Sequence, residues 1–507
     1  MLAKTESVAL VGTSGHLVSV EVYVAGGGIP TFRIVGLPAA SVREADQRIK
    51  SALEASDLHW PGSRIIANLA PGNLRKEGSH FDLALALGIL AGAEKIEAER
   101  LEGWMIVGEL ALDGSVRPVR GVLAAAMAAK KHGRKGIICP GDNAPEAAIV
   151  EGLKVVPVDN LRRAITFLEG GWDPPAVLPA PEPPLVTEDM AEVKGHPEAK
   201  KAAEIACAGG HNLLMIGPPG SGKSMIARRL PGILPAMSMQ ESLDVTSVYS
   251  VAGLLGNKAG LTRRRPFRSP HQGVSLAGLI GGGSGLPRPG EVSLSHYGVL
   301  FLDEISLFRS DVLDSLRGPL EEGRVRIARS GAMVEYPCRF SLVAAMNPCP
   351  CGYFGDPVRE CRCSAARLRY YNDKLSGPLI DRFDIQAMMA RPTRAELMSR
   401  EPSEPSSAIR SRVEAAREVQ SERYGSPLIS NSSCSKAELE RHVRLTQEAG
   451  SLLGALIDAL GLTGRGVDRI KRLARTVADL DGSSSVEEDH VGIASGHRYL
   501  EAEAVPA

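Results

Sequence analysis

The residues from Gly217 to Ser224, Gly-Pro-Pro-Gly-Ser-Gly-Lys-Ser, concentrate the chemistry of this chain. Gly217, Gly220 and Gly222 remove side chains where a backbone must curl, with Pro218, Pro219 and Ser221 between them. The spacing G-x-x-x-x-G-K-[ST] makes a phosphate cradle: backbone N–H groups close on phosphate oxygens, and the positive end of the following helix favours the anion. Lys223 is expected to reach the β- and γ-phosphates of ATP, and Ser224 to ligate Mg²⁺. A second group lies at Val299-Leu300-Phe301-Leu302-Asp303-Glu304. A buried strand delivers two such acids to its C-terminal edge, Asp303 to hold Mg²⁺ and Glu304 to orient or deprotonate the water that attacks the γ-phosphate. A third apolar strand, Phe340–Met346, ends at Asn347, a polar group for the γ-phosphate.

Cys349-Pro350-Cys351 and Cys361-Arg362-Cys363 form two C-x-C pairs separated by nine residues. One loop can gather four such thiolates around a tetrahedral ion, and zinc is the leading candidate. Neutral buried thiols and a redox pair are the alternatives. Cys139, Cys207, Cys338 and Cys434 are isolated and read as core residues. Arg263, Arg264 and Arg265, with Arg268, make a local basic cluster, and Arg324, Arg326 and Arg329 alternate along a hairpin read over Glu321–Arg329. Arginines so placed suit a phosphate backbone in a ring pore, which makes DNA one partner; a solvated charged face is the other reading.

These groups need a scaffold larger than one core. The chain has 507 residues, and length alone predicts two or three domains. Six prolines between Asp173 and Pro184 forbid regular pairing and mark a linker. The expected division is an α+β domain over 1–170, a Pro-rich linker over 171–188, an α/β nucleotide core with a parallel sheet over 189–393, and a helical domain over 394–507. In the first domain strands are read in Val8–Val24 and Phe32–Val35, and helices in Ala40–Ala55, Asp82–Ala93 and Val122–His132. Around the cradle, helix Glu198–Ala208 leads to strand Asn212–Ile216. Helices follow at Ala408–Tyr424, Ser435–Leu460 (broken) and Arg465–Leu480. Lys+Arg and Asp+Glu balance at 59 each, so net charge points to neither nucleic acid nor membrane. Without an apolar run of roughly 18–20 residues or a signal-peptide core, a cytoplasmic location is expected.

Lys223, Asp303–Glu304 and Asn347 resemble the Walker A, Walker B and sensor 1 series of AAA+ ATPases. Phe267-Arg268-Ser269-Pro270-His271, Arg288-Pro289-Gly290-Glu291, Gly298–Glu304 and Ser376–Asp384 narrow this. They resemble the magnesium-chelatase-like ComM/YifB family, a similarity that spans nearly the whole chain. It departs at His271-Gln272, where the family usually reads two histidines. The resemblance implies a ring, usually of six subunits, and a DNA branch-migration helicase with recombination proteins as partners. It also implies that Arg382 is an arginine finger for the neighbouring subunit's ATP, that Arg465 is the sensor 2 arginine, and that ATP turnover shifts the helical lid against the core. Asn68–Pro71, Lys76–Asp82 and Gly108–Leu110 look like a Lon-protease-type domain, with His80 at its serine position and Leu123 at its lysine position. A dyad is therefore missing, proteolysis is disfavoured, and the domain reads as a scaffold or docking element. A protein-remodelling ATPase like the chelatase subunit is the alternative to a DNA motor.

Overall fold

The computed structural model describes all residues except 28, 181–187, 256–259, 284–286, 330–331, 357, 375–376, 399–402 and 498–507. Pro181, Pro183 and Pro184 of the linker thus lie outside the described residues.

In the N-terminal domain the strands β1 (Leu2–Val11), β2 (Ser14–Val24), β3 (Thr31–Val35), β4 (Arg64–Ala70), β5 (Trp104–Ile106), β6 (Gly136–Pro140) and β7 (Lys154–Val158) make one mixed sheet. Its order is β3-β4-β2-β1-β5-β6-β7. Side chains of a strand alternate between faces, so one strand can feed two cores. Ala3 and Ala9 join the cluster of helix α2 (Asp82–Gly92), whereas Val8 joins the cluster of helix α3 (Val122–Lys131). Helix α1 (Ala45–Ala55) packs its Ile49 and Leu53 beside α2. All of α2 is buried, as expected of a helix apolar on every face.

The nucleotide core contains strands β8 (Leu213–Ile216), β9 (Phe267–Arg268), β10 (Val299–Leu302), β11 (Arg324–Arg329), β12 (Ala332–Pro337), β13 (Ser341–Met346) and β14 (Ile385–Met388). Five of them form an all-parallel sheet in the order β9-β10-β13-β8-β14. Every residue of β8 and β10 is buried, the mark of strands covered on both faces. Helices α4 (Pro197–Gly209) and α5 (Lys223–Ile233) flank β8, and α6 (Met239–Ala252) follows. The hairpin is longer than its sequence suggests. Helix α7 (Arg317–Glu322) runs into the expected first residues, Gly323 turns at φ 64°, and β11 is only the first arm, paired antiparallel with β12. Helix α8 (Ala365–Asp373) comes before β14.

The C-terminal region comprises α9 (Ser406–Tyr424), α10 (Lys436–His442), α11 (Gln447–Leu460), α12 (Gly464–Leu480) and α13 (Glu488–Gly496). Among the described residues no strand follows β14, and no helix is long and apolar enough to cross a membrane. The break expected in Ser435–Leu460 falls between α10 and α11, where Leu445 bridges to Val486. Ile409 and Val413 of α9 and Ile470, Leu473 and Val477 of α12 share one core with Ala202 and Ala203 of α4 and Ile226 and Leu230 of α5.

Among the described residues, the N-terminal domain touches the nucleotide core at the β1–β2 turn and beside α6. At the β1–β2 turn Gly12 has φ 61°, and a Cβ there would lie 2.3 Å from the Glu335 carbonyl oxygen of β12, so only glycine permits this approach. Buried Glu146 accepts from the Leu123 N–H at 2.8 Å and from the Ser250 hydroxyl of α6, and desolvation raises its pKa. The Gly121 N–H donates to the Ser250 carbonyl at 3.2 Å.

Candidate functional site

The cradle leaves the C-terminal end of β8 and closes on the first turn of α5. Gly220 and Gly222 adopt φ 78° and 82°, a left-handed backbone that a Cβ would strain. At Gly217 the constraint is space, since a Cβ would meet the Met389 carbonyl oxygen at 2.3 Å. Lys223 is buried, and its ammonium donates to the Gly217 and Pro218 carbonyls at 2.6 and 3.0 Å and to Asn347 Oδ1 at 3.3 Å. Desolvation pushes its pKa down to about 8, against the opposing pull of Asp303 and Glu304. The Ser224 hydroxyl donates to Asp303 Oδ2 at 2.8 Å, so the two expected Mg²⁺ ligands already face each other. Hard oxygen donors on a cradle and a strand end fit that ion.

The order of the sheet explains the convergence. Strand β13 lies between β8 and β10, so all three deliver their last residues to one edge: the cradle from β8, Asp303 and Glu304 from β10, Asn347 from β13. Asp303 Oδ1 accepts from the Glu304 N–H at 3.1 Å, and Glu304 itself has φ 51° with its side chain exposed. Two residues that the sequence reading did not single out brace Asn347. The Tyr371 hydroxyl donates to the Asn347 carbonyl at 3.1 Å and accepts from the Ser306 hydroxyl at 2.8 Å. No local pattern marks either residue, because the contact joins α8 to the turn after β10.

Arg382 lies at the other end of the sheet. It precedes β14, whose Ile385 pairs in parallel with Leu213 at the start of β8, while Met388 pairs with Ile216 beside the cradle. Four residues at about 3.3 Å each put about 13 Å of strand between the two edges. The guanidinium pairs with Glu321 of α7. Its pKa is lowered first by desolvation and then by the charges of Arg465, Arg469 and Arg317. Arg469, one turn along α12 from exposed Arg465, pairs with Asp381 at 3.2 Å, so this end of α12 lies against the turn that carries Arg382.

The four cysteines of the two C-x-C pairs gather, with one sulfur of each within 4.8 Å of the others. Cys349 Sγ lies 3.2 Å from Cys351 Sγ and 3.7 Å from Cys361 Sγ, and the latter two are 3.6 Å apart. Zn–S bonds of about 2.3 Å give a tetrahedral edge of about 3.8 Å, so this donor set fits zinc. The Phe354 N–H donates to Cys349 Sγ at 3.3 Å. Gly352 packs against Pro219, where an added Cβ would come within 2.6 Å, so the knuckle lies directly on the phosphate cradle. Cys139, Cys207, Cys338 and Cys434 are buried singly, as expected.

The basic residues divide. Arg265 turns inward, against the expectation of a solvent-facing cluster: it donates to the Pro235 carbonyl at 2.6 Å and the Tyr297 carbonyl at 2.8 Å and pairs with Glu241. Arg268 pairs with Glu291 at 2.6 Å. Arg263 and Arg264 are exposed. Arg324 and Arg326 alternate with buried Val325 and Ile327, and both bond Glu335 at 3.1 Å, Arg326 also pairing with Glu322. The Arg329 side chain lies outside the described residues.

In the N-terminal domain His80 is buried, with Nε2 2.7 Å from the Val8 carbonyl, and desolvation pushes it down to about 4. Leu123 is buried in apolar packing. Ser79 donates to Glu109, and buried Lys76 donates to the Pro71 carbonyl.

Family models cover most of the chain. Residues 189–397 match magnesium chelatase, subunit ChlI; residues 20–143 match subunit ChlI of Mg-chelatase; residues 403–498 match the ChlI C-terminal part. The chain is 43% identical over 499 residues to an uncharacterised protein of Mycobacterium tuberculosis, covering 98% of each. It is 39% identical over 508 residues to the competence protein ComM of Haemophilus influenzae, again 98% of each. With YifB of Escherichia coli the identity is 38% over 499 residues, 97% of this chain and 96% of that protein.

Proposed function

Since the chain belongs to the magnesium-chelatase-like ComM/YifB family of AAA+ ATPases, we infer that it is an ATP-hydrolysing ring motor that moves DNA, as a translocase or branch-migration helicase in recombination or transformation. The observation that carries the ATPase half is the convergence of Lys223, Ser224, Asp303, Glu304 and Asn347 on one sheet edge. Ser224 and Asp303 would hold Mg²⁺, which offsets charge on the phosphate oxygens. Lys223 would exchange its carbonyl partners for phosphate oxygens, Asn347 would hold the γ-phosphate, and Glu304 would take the proton of the attacking water.

Arg382 sits a strand length from this edge, so the phosphate it serves belongs to a neighbouring subunit, and Arg465 beside it serves the same one. A head-to-tail contact of this kind closes into a ring, for which six subunits is the family pattern. The DNA half of the reading draws on the competence-protein name of one relative and on the exposed arginines Arg263, Arg264, Arg324 and Arg326. Its test is steady-state ATP hydrolysis with and without single-stranded, duplex and branched DNA, with Glu304→Gln as the blank. DNA is expected to raise kcat; a rate indifferent to every DNA would move the reading to remodelling of another protein.

The knuckle is proposed to hold a structural zinc that stiffens the wall of the cradle. Purified protein should carry about one zinc per chain, and Ser at both Cys361 and Cys363 should remove it and lower the melting temperature. Undiminished zinc in that double variant would withdraw the assignment.

A further inference from the structure

Asn212, one residue before β8, ties three strands together at the sheet edge opposite the cradle. Its main-chain carbonyl accepts from the Ile385 N–H of β14 at 3.1 Å. Its side-chain Oδ1 accepts from the Leu342 N–H of β13 at 2.8 Å, and its Nδ2 donates to the Arg382 carbonyl at 2.8 Å. The two partners fix the orientation of the amide, because a backbone N–H requires Oδ1 and a carbonyl requires Nδ2. Only an amide of this length meets both demands.

His211 grips the same turn from the other side. Its Nδ1 lies 3.2 Å from Asp384, and its Nε2 lies 2.8 Å from the Thr476 hydroxyl of α12. Asn431 donates to that hydroxyl at 3.0 Å and to Asp479 at 2.8 Å, and Asp479 holds buried Arg475 at 3.0 Å. The turn that leads into β14 is closed by the Arg382 N–H on the Leu379 carbonyl and the Phe383 N–H on the Ile380 carbonyl, each at 2.9 Å, and Phe383 is buried. The backbone of Arg382 is thus clamped, while its guanidinium rests on Glu321 at the surface.

We propose that Asn212 is a positioning residue for Arg382: through its Nδ2–H bond it sets the backbone from which the guanidinium reaches a neighbouring subunit's γ-phosphate, and His211 supports it. This rests on the reading of Arg382 given above. It also means that the strand carrying one subunit's cradle aims the arginine that completes the next subunit's site.

Asn212→Asp separates the two bonds, since the carboxylate still accepts from Leu342 but cannot donate to the Arg382 carbonyl. Displacing a catalytic group by about 1 Å costs about 100-fold, so kcat should fall about 100-fold with the KM for ATP within about twofold of the parent. Mixed rings supply a readout that a general structural defect does not. Arg382→Ala and Glu304→Gln subunits, each inactive alone, should recover activity together, because intact sites of the first receive arginines from the second. That control decides the Arg382 reading; without recovery, both that reading and this proposal fall. Where it recovers, Asn212→Asp should behave as Arg382→Ala does, rescued by Glu304→Gln and not by Arg382→Ala. Rescue by Arg382→Ala, or a kcat equal to that of the parent, would overturn the proposal while leaving the Arg382 reading intact. Asn212→Ala, which removes both bonds without adding charge, is run in parallel under the same criteria, so that a folding failure of the aspartate variant leaves the outcome decided.

Discussion

Glu304→Gln should hydrolyse ATP about 1,000-fold more slowly than the parent, within the range that a positioned general base contributes. The change is nearly isosteric and removes a charge from an exposed position, so fold and cradle should persist. What it removes is the carboxylate that can accept a proton from water. Ser224, Asp303 and Lys223 are untouched, so ATP affinity should stay close to that of the parent. Titration with a fluorescent ATP analogue, beside single-turnover hydrolysis, separates binding from chemistry. A variant with parental turnover would show that Glu304 is not the base, whatever its place beside Asp303.

Arg382→Ala should be as severe for a different reason. An arginine that meets the transferring phosphoryl group is worth about 10³-fold or more, and this one stands about 13 Å of strand from the cradle of its own chain. Each subunit should keep its ATP affinity while kcat falls about 1,000-fold. Arg382→Lys should restore little, because an ammonium cannot offer the planar pair of donors that guanidinium presents. The measurement is kcat and ATP affinity at several protein concentrations. The parent's rate per subunit should rise as rings assemble, and the variant's should stay flat. Full activity in Arg382→Ala would remove the assignment of a finger to this turn.

The nucleotide machinery was legible because each part is written locally. The cradle is a continuous motif between a strand and a helix, and Asp303 and Glu304 directly follow an apolar run. Long helices such as α9 and α12 were equally plain. What sequence could not convey depends on partners far along the chain. Arg265 looked like part of an exposed basic run because its acid, Glu241, lies 24 residues earlier, on helix α6. Strands β4, β5, β6 and β7 went unread; β6 and β7 each include a proline, Pro140 and Pro157, a residue uncommon in a strand. The edge on which Arg382 sits follows only from the parallel pairing of β14 with β8, and Tyr371 and Asn212 gain their roles only through contacts across the fold.

The continuous core joining α9 and α12 to α4 and α5 bears on how such a motor would generate force. A lid hinged on a thin contact could swing by itself, but here a swing would pull Ile470, Leu473 and Val477 away from Ala202 and Ala203. Exposing side chains of that kind costs about 1.5–3 kcal/mol each, a large share of a usual folding stability. On this packing the helical region and the nucleotide core would move as one stiff lever rather than a jaw, in contrast to the lid shift expected from the sequence. In the ring proposed above, the play needed for a power stroke would then fall to the seam between one protomer and the next, which Arg382 would span.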